Sequence, residues 1–236
     1  MCGKQSISEF IREATNLPWN EINSLIKGIS VQRVEEREII VGKYTEPKGL
    51  EPLSFCHREY LILKRSMRPS VLTKLWEIKG ITDNNGPLNW RIFIPVIYKG
   101  KPVSWTTRSI LPDARIRYLS AKLHEEKFPH KHLLYGEDYV RNGVIIHEGP
   151  IDVWSTGPGA VCTFGTDYTP AQLLRMTKYP VRVVCFDSKA DAQRKALELY
   201  RSLLPFPGKT YNVVLDADDA GSASKKEIKS LRKLIR

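Results

Sequence analysis

The chain has 236 residues, 42% of them hydrophobic, and a formal charge of +11. That is enough for one large domain or two small ones with a sizeable core, and no apolar run approaches the roughly 20 residues of a membrane helix. The polar, charged start shows no secretory signal, so the expected compartment is the cytoplasm with no membrane partner, and the charge points to a polyanionic partner, nucleic acid foremost, over a merely soluble basic protein.

In chain order, residues 8–14 start a helix that Ser6 or Ser8 can cap, with Phe10, Ile11 and Ala14 on one face. Leu17-Pro18-Trp19 breaks it, and residues 20–27 continue as a second short helix. Residues 28–59 are charged and irregular, with helical character at 31–37 and a short strand at 39–41. Two prolines and a glycine make residues 45–52 an extended linker over a surface. Residues 58–79 are helical with a break at Pro69, and Val71, Leu72, Leu75 and Trp76 fall at helical spacing as core. Strands at 90–95 and 96–98 turn at 99–101 and pair back with 103–107 as a hairpin. Arg91 precedes an apolar strand and Arg108 ends one. Arginines are expensive in a core, so both are expected to face a groove.

Residues 144–146 form an apolar, β-branched run of the kind found in buried parallel strands. It breaks at Gly149-Pro150, which puts Glu148 at the carboxyl end of a strand and Asp152 one helical turn further on. A short helix passes Trp154, Gly157-Pro158-Gly159 turns, and 160–164 is a strand. Thr169 caps a helix whose first residue is Pro170. The strand 181–186 ends in Asp187. An amphipathic helix over 190–204 turns Ala192, Ala196, Leu199 and Leu203 inward, and 211–215 is a last strand. Alternation of strands and helices predicts a parallel βαβ sheet. Cys162 and Cys185 lie in apolar runs as buried small residues, and the four cysteines, including Cys2 and Cys56, have no paired spacing. Residues 224–236 form a basic helix that Ser224 and Glu227 close with a capping box.

In open α/β sheets, ligands bind beyond the carboxyl ends of the strands. Glu148 and Asp187 end two strands and Asp152 lies near them, a plausible cage for Mg²⁺ or Mn²⁺. Mg²⁺ takes one or two carboxylates, keeps several waters and uses substrate phosphates as its other ligands. Taken singly, each carboxylate is equally well a solvated loop residue or a helix cap.

Glu148-Gly149-Pro150-Ile151-Asp152, Phe164-Gly165-Thr166 and Cys185-Phe186-Asp187 resemble the TOPRIM module. That module is shared by bacterial-type primases, type IA and II topoisomerases and small nucleases. Upstream, Arg91-Ile92-Phe93-Ile94-Pro95, residues 103–108, Arg117-Tyr118-Leu119 and residues 128–136 resemble, in that order, the catalytic core of bacterial and phage primases. Several weak motifs in fixed order are more specific than any one. The resemblance covers roughly Tyr60 to the C-terminus.

It implies an α/β chain, α+β overall: a TOPRIM parallel sheet with flanking helices, preceded by a smaller mixed basic subdomain. The expected division is 1–57, an N-terminal helical appendage and linker; 58–140, the basic subdomain; 141–222, the TOPRIM subdomain; and 223–236, the basic helix. Cys2-Gly3 looks like the tail of a zinc ribbon whose other ligands are missing, or an incidental pair after a start codon. The implied activity is synthesis of short RNA primers from ribonucleoside triphosphates on single-stranded DNA. A replicative helicase and a zinc-ribbon segment are its further implied partners. A TOPRIM nuclease and a catalytically weakened binding module are the alternatives.

On this reading Glu148 is general base or metal organiser, with Asp152 and Asp187 as catalytic metal ligands. Arg91, Arg108, Arg117, His130 and Lys131 face nucleic acid or nucleotide, and alignment on Tyr135-Gly136 puts His130 rather than Lys131 on the family's lysine. The family's second Asp of Asp-x-Asp is Lys189 here, so Asp191 is the substitute metal ligand. Lys189 either points to solvent or faces the triphosphate. Asp216-Ala217-Asp218-Asp219 reads as a loop adding negative charge around the site.

Overall fold

The computed structural model describes residue 12 and residues 18–21, 42–82 and 86–236. The chain divides into two compact units, Met1–Ile39 and Ile40–Arg236. In the first, Arg12 and residues 19–21 are helical, and the Arg12 guanidinium lies 5.0 Å from the centre of the Trp19 ring. The rest of the helices expected at 8–14, 20–27 and 31–37, the strand at 39–41, and Cys2 fall outside the described residues.

The second unit holds two sheets. The antiparallel sheet has the order β1-β2-β3-β4-β5: β1 Leu50–Glu51, β2 Lys79–Ile81, β3 Arg91–Tyr98, β4 Lys101–Ser109 and β5 Tyr118–Ser120. Helix α1, Phe55–Glu59, runs into a wider turn over Tyr60–Lys64, and α2 is Pro69–Trp76. Strand β3 is continuous through Pro95, where two strands were expected, with a bulge between Val96 and Ile97 absorbing the irregularity. Its Ile92 and Ile94 face the main core, while Phe93 packs on the other side with Ile81 and Trp105. The hairpin turn Lys99-Gly100 has both φ values positive, 53° and 72°, as a two-residue turn between twisted strands requires. Asp138 accepts both of its backbone N–H groups.

The parallel sheet has the order β7-β6-β8-β9: β6 Gly143–His147, β7 Ala160–Cys162, β8 Val181–Val184 and β9 Lys209–Asn212. Its helices are α3 Pro150–Thr156, α4 Pro170–Met176, α5 Ala190–Leu203 and α6 Lys225–Lys233. Thr169 and Ser224 each make the expected capping box, with Gln172 and Glu227. Alternate residues of β6 face opposite ways. Val144 and Ile146 pack with Val161, Val184 and the inward residues of α5. Ile145 joins a cluster that also holds Trp76, Ile92, Ile94, Trp154 and Leu231.

That second cluster draws on both sheets and on α6, so one core ties them together. Full burial of a Leu or Ile is worth about 1.5–3 kcal/mol, which makes this cluster the main adhesive of the unit. The segment read as a linker contributes β1, which pairs antiparallel with β2. The division expected at 57/58 falls inside α1. Cys162 and Cys185 are buried and Cys56 is exposed.

Candidate active site

Three neighbouring strands, β6, β8 and β9, run parallel, so their carboxyl ends open on one side. Glu148 directly follows β6. Asp187 lies three residues beyond β8. Asp152 sits in the first turn of α3, which starts at Pro150 because Gly149 holds an extended conformation before it. The loop after β9 brings Asp219. These four line a cleft of about 300 Å³, which Arg65, Arg108, Arg117, Tyr118, Phe164 and Lys189 also line. Acidic residues therefore come from the parallel sheet, and arginines come from the antiparallel one and from the segment before α2.

Hydrogen bonds fix the carboxylates only in part. Glu148 Oε1 accepts the Asp187 backbone N–H at 3.0 Å. Asp152 Oδ1 accepts the Gly221 N–H at 3.2 Å. None of the four is in a salt bridge among the described residues. Burial, then the charges of Asp187 and Asp219, push the Asp152 carboxyl up to about 7. Glu148 and Asp187 also shift upward, chiefly through burial; Asp187 then feels Asp219, while the nearby Lys189 charge pulls both back. These carboxyls resist ionisation chiefly because they are buried, and their charged form would gain from added positive charge beside them.

A hard cation would supply it. Among the described residues no three of His, Cys, Asp and Glu converge into a ready-made ligand set. The donors suit an ion held by one or two carboxylates and completed by water and phosphate, as Mg²⁺ prefers, rather than an all-protein cage. Arg108 is buried, its guanidinium lies 4.9 Å from the Tyr118 ring centre, and its Nε has no partner. A buried donor left unpaired on the wall of a cleft suits an anionic ligand.

The structure brings together Glu148, Asp152, Asp187, Arg108 and Arg117. It does not bring in four others. Arg91 is buried and spends its guanidinium on the carbonyls of Pro87, Ile116 and Arg117, at 2.7, 2.7 and 3.2 Å. It anchors the chain beside Arg117 and faces no groove. Lys131 Nζ donates to the carbonyls of Thr163, Phe164 and Asp167, at 3.0 to 3.2 Å. It secures the loop that carries Phe164 into the cleft. The His130 ring lies 2.6 Å from Glu126 Oε1, edge-on to Phe164. Asp191 is exposed in the first turn of α5 and lines no part of the cleft. A helix starting at Ala190 carries it away from Asp187.

Asp219 stands near the carboxylates where Asp191 was expected. The signal was present: β9 is another parallel strand, and the rule that sites form beyond carboxyl ends applies to it too. Lys189 is exposed yet lines the cleft, so it is not turned fully outward. Arg65 and Tyr118 were not singled out, because only the packing of two sheets makes them neighbours of the acids. His147, inside the β6 motif, is structural: its Nδ1 donates to the Cys185 carbonyl and its Nε2 accepts from Thr156, both at 2.8 Å. Burial lowers its pKa to about 4, which keeps it neutral.

No family model and no curated protein matches the chain. Solved structures do. The DnaG catalytic core is 19% identical, with a TM-score of 0.61 over 78% of this chain and 72% of that one. The RNA polymerase domain of Mycobacterium tuberculosis primase DnaG, in complex with double-stranded DNA, is 16% identical, with a TM-score of 0.56 over 77% and 73%. The primase fragment of the bacteriophage T7 primase-helicase protein is 14% identical, with a TM-score of 0.52 over 82% of each. The chain has the fold of bacterial and phage primase cores: a four-stranded parallel sheet joined to an antiparallel one.

Proposed function

We propose that the protein is a metal-dependent, primase-like nucleotidyltransferase that builds short RNA primers on single-stranded DNA. The observation that carries this reading is the cleft, in which uncompensated carboxylates of a TOPRIM-type sheet oppose Arg108 and Arg117. Glu148, Asp152 and Asp187, with Asp219 beside them, would hold Mg²⁺ or Mn²⁺. That ion supplies charge neutralisation and alignment of the phosphates.

The chain's own residues do the rest. Arg108 and Arg117 orient the triphosphate and the template backbone. Glu148 keeps Oε2 free for the cleft while Oε1 is held by the Asp187 amide, which suits it to accept the proton of an attacking hydroxyl. Phe164 lines one side of the cleft and offers an apolar face to a base. A hydroxyl of the growing strand attacks the α-phosphate, and pyrophosphate leaves. The order of the upstream motifs favours this over a nuclease.

A replicative helicase is a proposed protein partner by analogy with the primase-helicase from which the T7 fragment derives, and a zinc-ribbon segment by analogy with the zinc-binding domain of the Aquifex aeolicus primase. No described helix is long and apolar enough to cross a membrane. The test is primer synthesis from labelled ribonucleoside triphosphates on single-stranded DNA, set beside strand cleavage without triphosphates. Product that depends on template and disappears in Glu148→Gln is expected. Cleavage without synthesis would replace the proposal with the nuclease.

A further inference from the structure

Beside the carboxylate cleft runs a groove of about 480 Å³ between the Arg65–Leu72 side and helix α6. Six cations line it: Arg65, Arg68, Lys225, Lys229, Arg232 and Arg236. No Asp or Glu does. Among the described residues none of the six is in an ion pair, although Lys79, Arg175, Arg194 and Lys195 are. Arg232 gives one N–H to the Thr156 carbonyl at 2.6 Å, which orients it and leaves its charge unneutralised. Like charges gathered without counter-ions repel, and an anion from outside the chain would relieve that repulsion.

The floor narrows the choice of anion. Met67, Val71 and Ile228 line the groove between the cations, and Val71 is 49% exposed. A duplex turns phosphates outward and hides its bases, whereas a single strand offers charged backbone and apolar base faces together. The groove also joins the carboxylate cleft. Arg65 lines both. The loop that puts Asp219 in the cleft continues into Ala220 and Gly221 on the groove wall, and Gly221 N–H holds Asp152.

We infer that this groove binds single-stranded DNA and leads it to the carboxylate cleft. Its role as a template path rests on the proposed function; binding itself requires no catalysis.

The test is fluorescence anisotropy of the whole chain with a labelled oligothymidylate of about 12 nucleotides, without nucleotide or metal, from about 50 to 200 mM salt. Lys229→Glu and, on the opposite wall, Arg68→Glu should each weaken binding about tenfold and flatten the log–log salt dependence by about one unit or more. Both positions are exposed, so two independent walls guard against a folding artefact, checked by thermal melting. Lys226→Glu, exposed on the same helix but outside the groove, should change affinity less than about twofold, and a duplex of equal length should bind more weakly. Equal losses at positions 226 and 229, no loss in either groove variant, or equal affinity for duplex would overturn the inference. Primer synthesis on the same samples separates the two claims. Wild-type protein that binds through the groove but makes no primer contradicts the proposed function and leaves the groove standing.

Discussion

Several cations, in both halves of the molecule, are consumed by the fold. Arg91 holds three carbonyls, Lys131 holds three more, and Arg175 is shared between the His132 carbonyl and Glu137. In the parallel half the reverse holds for the acids at the strand ends. Glu148, Asp152, Asp187 and Asp219 take three backbone N–H groups and one hydroxyl, that of Ser222, among them, and no ion pair among the described residues. Charged side chains with full hydrogen-bond complements stabilise; those left short mark where something else must bind. The comparison separates charges that build the protein from charges that face a ligand.

The largest effect should come from the acids. Glu148→Gln or Asp187→Asn should reduce primer synthesis by about 10³-fold with the melting temperature held or raised, whereas Asp191→Ala should stay close to wild type. Initial rates and thermal melts of the three variants check this. Loss in Asp191→Ala equal to that in Asp187→Asn would return Asp191 to the site.

Next comes a cation of each kind. Lys131→Met leaves the Phe164 and Asp167 carbonyls without their donor, while the Thr163 carbonyl keeps Gln172, and stability should fall by on the order of 2–3 kcal/mol in urea titrations. Arg117→Ala should leave the urea midpoint nearly unchanged and lower the salt slope of DNA binding by about one unit. If Lys131→Met melts like wild type and loses DNA affinity instead, Lys131 belongs with the ligand-facing cations.

The pH dependence is smaller and has a definite sign. Asp152 has its folded pKa raised from 3.8 to about 7, so the folded state favours the protonated carboxyl. Its stabilising contribution is complete below the ordinary carboxylate range and is lost as pH rises through about 7; three units correspond to at most about 4 kcal/mol. Asp152→Asn, neutral at every pH, should therefore melt higher than wild type at pH 8 and lose that advantage at pH 4. A constant difference across this range would mean that Asp152 ionises normally.

The smallest effect is expected at Lys189, whose charge lowers the pKa of Glu148 and Asp187. Lys189→Met should shift the acid limb of the activity–pH profile upward, and Lys189→Asp should shift it further while tightening Mg²⁺ binding. A profile that does not move would place Lys189 away from the carboxylates.

How much was readable in the sequence followed from the range of the interactions. Caps and strands are local, so Thr169, Ser224, the β6 run and its terminal Glu148 could be placed by pattern alone. Leu50–Glu51 could not, because two residues carry no periodicity and become a strand only by pairing with Lys79–Ile81. The rule that buried arginines are costly is sound, yet it sent Arg91 to a groove. The Pro87 carbonyl, four residues away, and the Ile116 and Arg117 carbonyls of one distant segment satisfy it instead, and no sequence pattern marks those partners. Motif order gives Asp187 the acidic strand end and leaves Asp191 as the substitute for the carboxylate that Lys189 replaces, with residues 216–219 as a surrounding negative loop. The helix that begins at Ala190 turns sequence proximity into spatial divergence, and the parallel register of β8 and β9 brings the more distant Asp219 alongside.

The central claim is that the cleft carboxylates have no ion-pair partner among the described residues, so that a bound cation favours their charged form. It is read most directly from the side-chain carboxyl ¹³C resonance of Asp152, assigned by its loss in Asp152→Asn and titrated with and without saturating Mg²⁺. The account predicts a midpoint near 7 without the ion and a return toward the ordinary carboxylate range with it. A midpoint near 4 that Mg²⁺ leaves unmoved would contradict it.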